Sequence, residues 1–265
     1  MWLINDIGAG AIPVASDANY YCNVWMTSDD TTNHPDNNTQ FYGDVFYNAC
    51  QGIQVTSTAG TSSTTAATFK DVYIDSPANS NCTTYSSSDY PSTSYGLNWG
   101  APFGANIEEM TITNTPSGGA GIHTGASTGT HTVYDTLLEG NATAMAGSTD
   151  PGHAYVDFYN NTANGVTLSG TDITSDPGLS TSTYGRGGYL FIPNTSPDYQ
   201  IGDGDSDSDS DDAGAGILCE LNSIGEHTST PLWPWPNNSL IYAVSGNTLD
   251  VTANIWTTTS GLPSC

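Results

Sequence analysis

Positive charge is what this sequence most lacks. Of its 265 residues only Lys70 and Arg186 are basic apart from five histidines, whereas 27 are acidic, and the formal net charge at pH 7 is −25. A protein of this charge is repelled by the phosphates of nucleic acids and by anionic membrane surfaces. Clefts that bind uronic-acid polysaccharides usually use several Lys or Arg side chains. We therefore expect no nucleic-acid partner and at most two sites that could bind an acidic sugar.

Long apolar segments and helical periodicity are also missing. No run of about twenty apolar residues is present, so no membrane-spanning helix is expected. Apolar residues make up 36% of the sequence, less than the roughly 45–50% of ordinary globular domains. No long segment repeats apolar residues at intervals of three and four, and Gly, Pro, Ser and Thr interrupt every candidate helix. These absences predict an all-β protein with a narrow core.

The sequence does contain short alternating apolar runs between turns rich in Gly, Asn and Asp. Such runs predict strands that bury one face. They occur at Val45–Tyr47, Ile53–Val55, Val72–Ile74, Met110–Ile112, Val133–Leu138, Val156–Phe158 and Val166–Leu168. The separations Met110 to Tyr134 and Tyr134 to Val156 are 24 and 22 positions, about one coil of a β-solenoid. A solenoid is favoured, because its strands need only one inward face, and a β-sandwich is the alternative.

Four short motifs follow one another in the last third of the sequence. They are Asp176-Pro177-Gly178-Leu179, Phe191–Pro197, Gly202-Asp203-Gly204 and Asp212–Ala215. Their order resembles the closing segment of secreted right-handed parallel β-helix repeat proteins of the pectate-lyase-like superfamily. Pro231–Pro236 resembles a tail found in some members, so the resemblance covers about residues 52–236. It implies a right-handed parallel β-helix and an extracellular or cell-surface location.

The same resemblance implies little about activity, because the superfamily includes lyases, hydrolases, tailspikes and adhesins. Its lyases use Arg or Lys as base and charge stabiliser, and here Lys70 and Arg186 would have to fill every such role. Its inverting hydrolases carry a Gly-His-Gly motif, from which Gly152-His153-Ala154 departs. The sequence therefore lacks the catalytic patterns of both groups.

Three regions are predicted along the chain. Residues 1–44 form an N-terminal strand and cap region, 45–220 the β-helix, and 221–265 an extended C-terminal tail that packs on the solenoid or on a neighbour. The apolar start, Met1–Val14, alternates at period two. It is expected to add a strand to an open coil, either as a cap on its own chain or by reaching a neighbouring subunit.

Acidic residues of neighbouring predicted coils are the candidate catalytic groups. Two carboxyl groups about 5 to 9 Å apart can hydrolyse a glycosidic bond, one as acid and the other as base or nucleophile. The candidates are Asp135, Glu139, His153, Asp157, Asp172 and Asp176. Polar residues on the solvated face of a sheet are the alternative interpretation.

The segment 203–212 carries six carboxylates in ten residues, at Asp203, Asp205, Asp207, Asp209, Asp211 and Asp212. So much like charge in one segment is unfavourable unless cations compensate it. Oxygen ligands at every second position can surround a calcium ion, although the twelve-residue spacing of the common calcium loop is absent. We predict calcium here, with a solvated acidic loop as the alternative.

Cysteines and sequons favour an exported protein. The five cysteines lack a C-x-x-C pair, which argues against zinc and haem attachment. Cys22 and Cys50 lie about one coil apart and are predicted to form a disulfide, whereas the partner of Cys219 is left open. Asn-X-Ser/Thr glycosylation candidates begin at Asn37, Asn81, Asn141, Asn160, Asn194 and Asn237.

Trp233 and Trp235 alternate with prolines in the C-terminal region. Exposed indole rings in an extended segment can stack on sugar faces. Packing of the same rings against the solenoid is the favoured alternative.

Three functions compete at this point. The first is an extracellular structural protein that self-assembles into a filament, sheath or layer, since a solenoid has open ends and catalytic groups are few. The others are a carbohydrate-active lyase or hydrolase and a non-catalytic carbohydrate-binding adhesin. A homo-oligomer or polymer is the expected state, with polysaccharide as a further expected partner.

Overall fold

The structure is a computed structural model that describes residues 2–4, 7–9, 22–28, 39–47, 51–57, 67–75, 94–100, 104–125, 130–147, 151–201, 212–244, 247 and 250–265. Short strands dominate it. In chain order they are β1 (Trp2–Ile4), β2 (Ile7–Ala9), β3 (Cys22–Ser28), β4 (Gln40–Tyr42), β5 (Val45–Tyr47), β6 (Gln51–Ser57), β7 (Ala67–Lys70), β8 (Tyr73–Asp75), β9 (Tyr95–Gly100), β10 (Ala105–Glu108), β11 (Thr111–Thr113), β12 (Ala120–Thr124), β13 (Thr132–Tyr134), β14 (Leu137–Glu139), β15 (Met145–Gly147), β16 (Gly152–Ala154), β17 (Cys219–Leu221) and β18 (His227–Pro231).

The first sixteen strands form three parallel sheets that each take every third strand. Sheet A has the order β1-β4-β7-β10-β13-β16, sheet B the order β2-β5-β8-β11-β14, and sheet C the order β3-β6-β9-β12-β15. Isolated bridges at Asp157 and Ile173 extend sheet B. The chain thus visits A, B and C in turn before it returns to A, which fits a solenoid-like fold and confirms the expectation of parallel β structure.

Strand positions agree with the apolar alternation in most places. The run Val133–Leu138 is two strands, β13 and β14, in different sheets, and the run Val166–Leu168 is not a strand. Thr111 pairs with Leu137, whereas Tyr134 pairs with Glu108. The spacing from Met110 to Tyr134 therefore compares positions in two different sheets. Its length is nevertheless close to the number of residues between paired strands of one sheet.

The N-terminal strands take part in the same three sheets as the later ones. Strands β1, β2 and β3 already belong to the three sheets, so the sheets begin well before residue 45. Residues 2–4 and 7–9 of the apolar start pair, as β1 and β2, with β4 and β5 of the same chain. The expectation that the apolar start also reaches a neighbouring subunit stays a prediction.

The core lies between the three sheets and is built from residues at equivalent register positions. Phe41, Phe69, Ile107 and Val133 follow one another across sheet A, and all are buried. The rings of Phe41 and Phe69 stack at a centroid distance of 4.8 Å. Equivalent inward positions of the other sheets complete the core with Phe46, Ile74, Ile112, Leu138, Ile53, Leu97, Ile122 and Met145. A core this narrow agrees with the low apolar content of the sequence.

Polar side chains join the coils where the chain leaves sheet B. Asn141 accepts hydrogen bonds from the backbone N–H and hydroxyl of Thr115, and it donates to the carbonyl of Ile112 at 3.1 Å. Asn161 donates to the carbonyl of Leu138 at 2.7 Å and accepts from the backbone of Asn141. These bonds satisfy buried backbone groups at the turn.

A second column lies at the corner between sheets A and B. Its members follow β4, β7, β10, β13 and β16 and have left-handed backbone φ angles of 68°, 53°, 47°, 47° and 56°; they are Gly43, Asp71, Glu109, Asp135 and Tyr155. Glycine adopts this conformation without strain, whereas other residues do so at a cost. Three successive coils nevertheless place a buried carboxylate there. We call these five residues the corner column.

Described residues after 180 pack over the outward face of sheet B. It contains α1 (Thr181–Tyr184), a 3₁₀ helix (Gly185–Tyr189), the antiparallel pair β17–β18, α2 (Asn238–Val244) and α3 (Val251–Ile255). Val45, Tyr47 and Tyr73 of sheet B form a second core with Leu190, Ile217, Leu232, Trp233, Trp235 and Trp256. We call the described residues between 181 and 265 the cover.

The cover is fixed by specific bonds as well as by apolar contacts. Arg186 bonds Asp75 of β8 at 2.7 Å, and its guanidinium lies 5.4 Å from the ring centroid of Tyr47. A disulfide joins Cys219 and Cys265. Cys265 is therefore the partner of Cys219 that the sequence left open.

None of the helices in the described part of the chain combines the length and the apolarity needed to cross a membrane.

Candidate functional site

Three of the six predicted catalytic residues approach one another beside sheet B. Glu139 ends β14 and is half-buried, Asp157 lies in the next coil and is fully buried, and Asp176 is exposed. A fourth carboxylate, Asp198 of the cover, lies against Asp157 and is also fully buried. We call Glu139, Asp157, Asp176 and Asp198 the carboxylate cluster.

Burial and mutual repulsion make these carboxyl groups weak acids. Burial, followed by the charges of Asp176 and Asp157, raises the pKa of Glu139 to about 7. Asp157 and Asp198 titrate as a pair, and burial is the main reason that their pKa values are raised to about 7 and about 9. At neutral pH the pair therefore retains a proton, which the two carboxyl groups share.

Asp198 could not be recognised from the sequence. It lies far from Asp157 along the chain, directly after the Phe191–Pro197 motif, in a segment without strand periodicity. Only the folding of the cover onto sheet B brings the two carboxyl groups together.

The other three predicted residues have different surroundings. His153 and Asp172 form a separate pair, with Nε2 and Oδ2 3.1 Å apart. Asp172 also accepts hydrogen bonds from the backbone of Val156 and Ser169, so it has a structural role. Asp135 belongs to the corner column, and its carbonyl accepts from the backbone N–H of Gly214. The six candidates therefore do not form one cleft.

A separate cleft of about 650 Å³ lies between the corner column and the cover. Asp71 and Glu109 line one wall and His227 of β18 lies against them. The Nε2 atom of His227 is 3.0 Å from Oδ2 of Asp71. Glu109 also contacts Lys70, whose Nζ lies 3.6 Å from its Oε2. Sequence reasoning missed this site, because only the strand register places Asp71 and Glu109 on successive coils.

Other sequence candidates have the following places. Trp233 and Trp235 are buried in the second core, and Nε1 of Trp233 donates to the carbonyl of Ile217 at 2.7 Å. Their rings are therefore not available for stacking on sugars. Asp212 accepts from the backbone of Gln200 at 2.8 Å, whereas Asp203, Asp205, Asp207, Asp209 and Asp211 lie outside the described residues. Cys22 begins β3, whereas Cys50, its predicted disulfide partner, lies outside the described residues.

The glycosylation candidates divide into three groups. Asn141 is buried with both ends of its amide bonded, so a glycan at this residue does not fit the folded chain. Asn160, Asn194 and Asn237 are exposed. Asn37 and Asn81 lie beyond the part of the chain that the structure describes.

Comparison of the chain with protein-family models, with curated proteins and with solved structures found no match. The candidate functions therefore depend on the geometry of the chain itself.

Proposed function

We propose that the protein is an extracellular structural subunit, a right-handed parallel β-helix that assembles end to end into a filament, sheath or layer. The observation that carries this proposal is the order of the sheets. Within the described residues, β1, β2 and β3 each pair on one side only. Their outer edges present backbone N–H and C=O groups that can pair with a second copy.

The charge distribution supports the same proposal. Proteins often protect strand edges with lysine, but the one lysine of this chain, Lys70, is buried in β7. The net charge of −25 opposes association, and salt limits that repulsion to about 8 Å at physiological ionic strength. Calcium bound to Asp203–Asp212, as the sequence predicts, would lower it further. The disulfide suits an oxidising, extracellular location.

Assembly predicts a concentration-dependent increase in light scattering and ordered polymers in negative-stain micrographs, both promoted by calcium or added salt. Thr27 of the outer strand β3 pairs with Thr56 of β6, which itself pairs on both sides. Thr27→Lys should weaken the association constant by about tenfold relative to Thr56→Lys, because a lysine blocks an edge only at the edge strand. Both variants change the net charge equally, so they are matched controls.

A monomer at high concentration in calcium and salt would contradict the assembly proposal. If Thr27→Lys and Thr56→Lys have the same association constant, the edge of β3 is not the contact between subunits. Calcium binding is tested separately from assembly. A chelator should lower the melting temperature if the Asp-rich segment binds the ion.

A carbohydrate-active enzyme is the second candidate, and the carboxylate cluster favours it. Glu139, with its pKa raised to about 7, is suited to protonate a glycosidic oxygen at neutral pH. The neighbouring exposed Asp176 is suited to act as base or nucleophile. The shortage of Lys and Arg favours a neutral polysaccharide as substrate over a uronate polymer.

Release of reducing ends from neutral polysaccharides tests this candidate. Glu139→Gln should lower the rate by about 10²- to 10⁴-fold, whereas Asp172→Asn, outside the cluster, serves as the control. Activity should decline above pH 7, since deprotonated Glu139 cannot act as the acid. Polysaccharide binding without hydrolysis would instead identify an adhesin, and neither binding nor hydrolysis would remove both carbohydrate functions.

A further inference from the structure

We propose that Asp71, Glu109 and His227 form a binding site for a transition-metal dication of the zinc class. The site lies where the cover crosses the corner column, away from the carboxylate cluster and from the strand edges proposed for assembly. It is therefore independent of the proposed function. One ligand atom from each of the three residues lies within 4.8 Å of the other two.

The spacing fits metal coordination. Nε2 of His227 and Oδ2 of Asp71 are 3.0 Å apart, and two ligands bound to zinc at about 2.0–2.1 Å lie roughly 3–3.5 Å from each other. Glu109 reaches the same place because Lys70 pairs with Glu108 in the sheet A register. The residues that follow them, Asp71 and Glu109, thus occupy successive rungs of the corner column.

Gly216 orients the site from the cover. Its backbone N–H donates to Oδ1 of Asp71, which leaves Oδ2 facing His227. A Cβ atom at Gly216 would lie 3.1 Å from that Oδ1 atom and 3.4 Å from Cε1 of His227. Glycine therefore allows the cover to come close enough for His227 to join two carboxylates from the sheets.

The donor set selects the class of metal. One imidazole nitrogen and two carboxylate oxygens are typical ligands of zinc and similar ions, whereas calcium and magnesium prefer oxygen alone. Asp71 and Glu109 are more than nine-tenths buried, and His227 is about one-third exposed. The cleft of about 650 Å³ leaves room for water or a small ligand at the remaining coordination positions.

Lys70 distinguishes a metal site from a closed network of ion pairs. Its Nζ lies 3.6 Å from Oε2 of Glu109, so its charge compensates that carboxylate and would repel a bound dication. Replacement of Lys70 by methionine should strengthen zinc binding if the site is a metal site. If the residues serve only as ion pairs, the same change should destabilise the fold without any gain in zinc affinity.

Calorimetric titration of the full chain with zinc chloride at pH 7 tests the proposal. We expect one site, weakened by about tenfold or more in His227→Ala and Glu109→Gln and strengthened in Lys70→Met. His153→Ala is the matched control, since His153 pairs with Asp172 in the same way and no third ligand joins them among the described residues. Calcium should not displace zinc, and binding should weaken at pH 5, where protonated imidazole does not coordinate.

Several results would overturn the site. These are the absence of zinc binding, unchanged affinity in both ligand variants, displacement by calcium, or a loss of affinity in Lys70→Met. Because His227 is partly exposed, its alanine variant should fold. Near-ultraviolet circular dichroism and a melting curve without zinc verify that each variant retains the native fold.

Discussion

Between pH 6 and pH 9 we expect the free energy of unfolding to fall by roughly 5–7 kcal/mol, and Asp198→Asn to remove most of that fall. The main reason is the buried pair of Asp157 and Asp198, whose pKa values are raised to about 7 and about 9. Glu139, with its pKa raised to about 7, contributes a smaller part. An asparagine at residue 198 donates a hydrogen bond to Asp157 without carrying a charge. Urea unfolding at a series of pH values measures the effect.

The direction follows from proton binding. Unfolding returns both carboxyl groups to ordinary pKa values near 4, so above that pH the folded state binds more protons than the unfolded state. Stability is then greatest near pH 4 and is lost as pH rises through about 7 and about 9, at about 1.4 kcal/mol per pH unit for each proton. Ordinary carboxylates are already ionised at pH 6, so the interval from 6 to 9 isolates the raised groups.

Asp176→Asn is the control for this prediction. Asp176 belongs to the same cluster but is exposed, so its substitution should change the pH profile much less. Stability that is independent of pH between 6 and 9, or a profile that Asp198→Asn leaves unchanged, would show that the pair does not share a proton. The measurements need a chelator, because a bound cation would also neutralise the two carboxylates.

Trp233→Ala should destabilise the protein by about 3–5 kcal/mol, the usual cost of removing a large buried aromatic side chain. The Trp233 ring lies 5.3 Å from the ring of Trp256 and 5.8 Å from that of Trp235. Its removal leaves a cavity in the second core and deprives the carbonyl of Ile217 of its donor. Urea unfolding followed by tryptophan fluorescence gives the difference in free energy.

Trp233→Phe separates the two contributions. Phenylalanine retains most of the apolar volume but cannot donate the hydrogen bond, so the expected loss is about 1–3 kcal/mol. A loss below about 1 kcal/mol for the alanine variant would mean that the cover contributes little to stability. It would also restore the possibility that these tryptophans contact a ligand.

The sheets could be predicted because their strands obey a local rule. A run such as Val45–Tyr47 alternates, and alternation alone determines which side chains face the core. The run Val166–Leu168 alternates as well, but it is not a strand. Assignment to sheets A, B and C was not predictable, because the chain between successive strands varies in length. The same variation explains why counting from Met110 to Tyr134 crossed from one sheet to another.

The candidate sites depend on contacts that no local pattern encodes. Glu139 and Asp157 were foreseen from neighbouring coils, but Asp198 joins them only when the cover folds onto sheet B. Similarly, Asp71 and Glu109 become neighbours through strand register, and His227 arrives from the far end of the chain. Apolar periodicity predicts which strands can stack, whereas the place where a non-repetitive segment crosses the stack is a tertiary property.

The positions of Lys70 and Arg186 also bear on how long the folded chain survives among proteases. Trypsin cleaves only after lysine or arginine, and these are the two such residues in the sequence. Lys70 is buried and lies in β7, which is paired on both sides. Arg186 is bonded to Asp75. Cleavage at Lys70 requires local opening of sheet A, because a protease must bind its substrate as an accessible extended strand. Enzymes of trypsin-like specificity therefore find little to digest in the native protein.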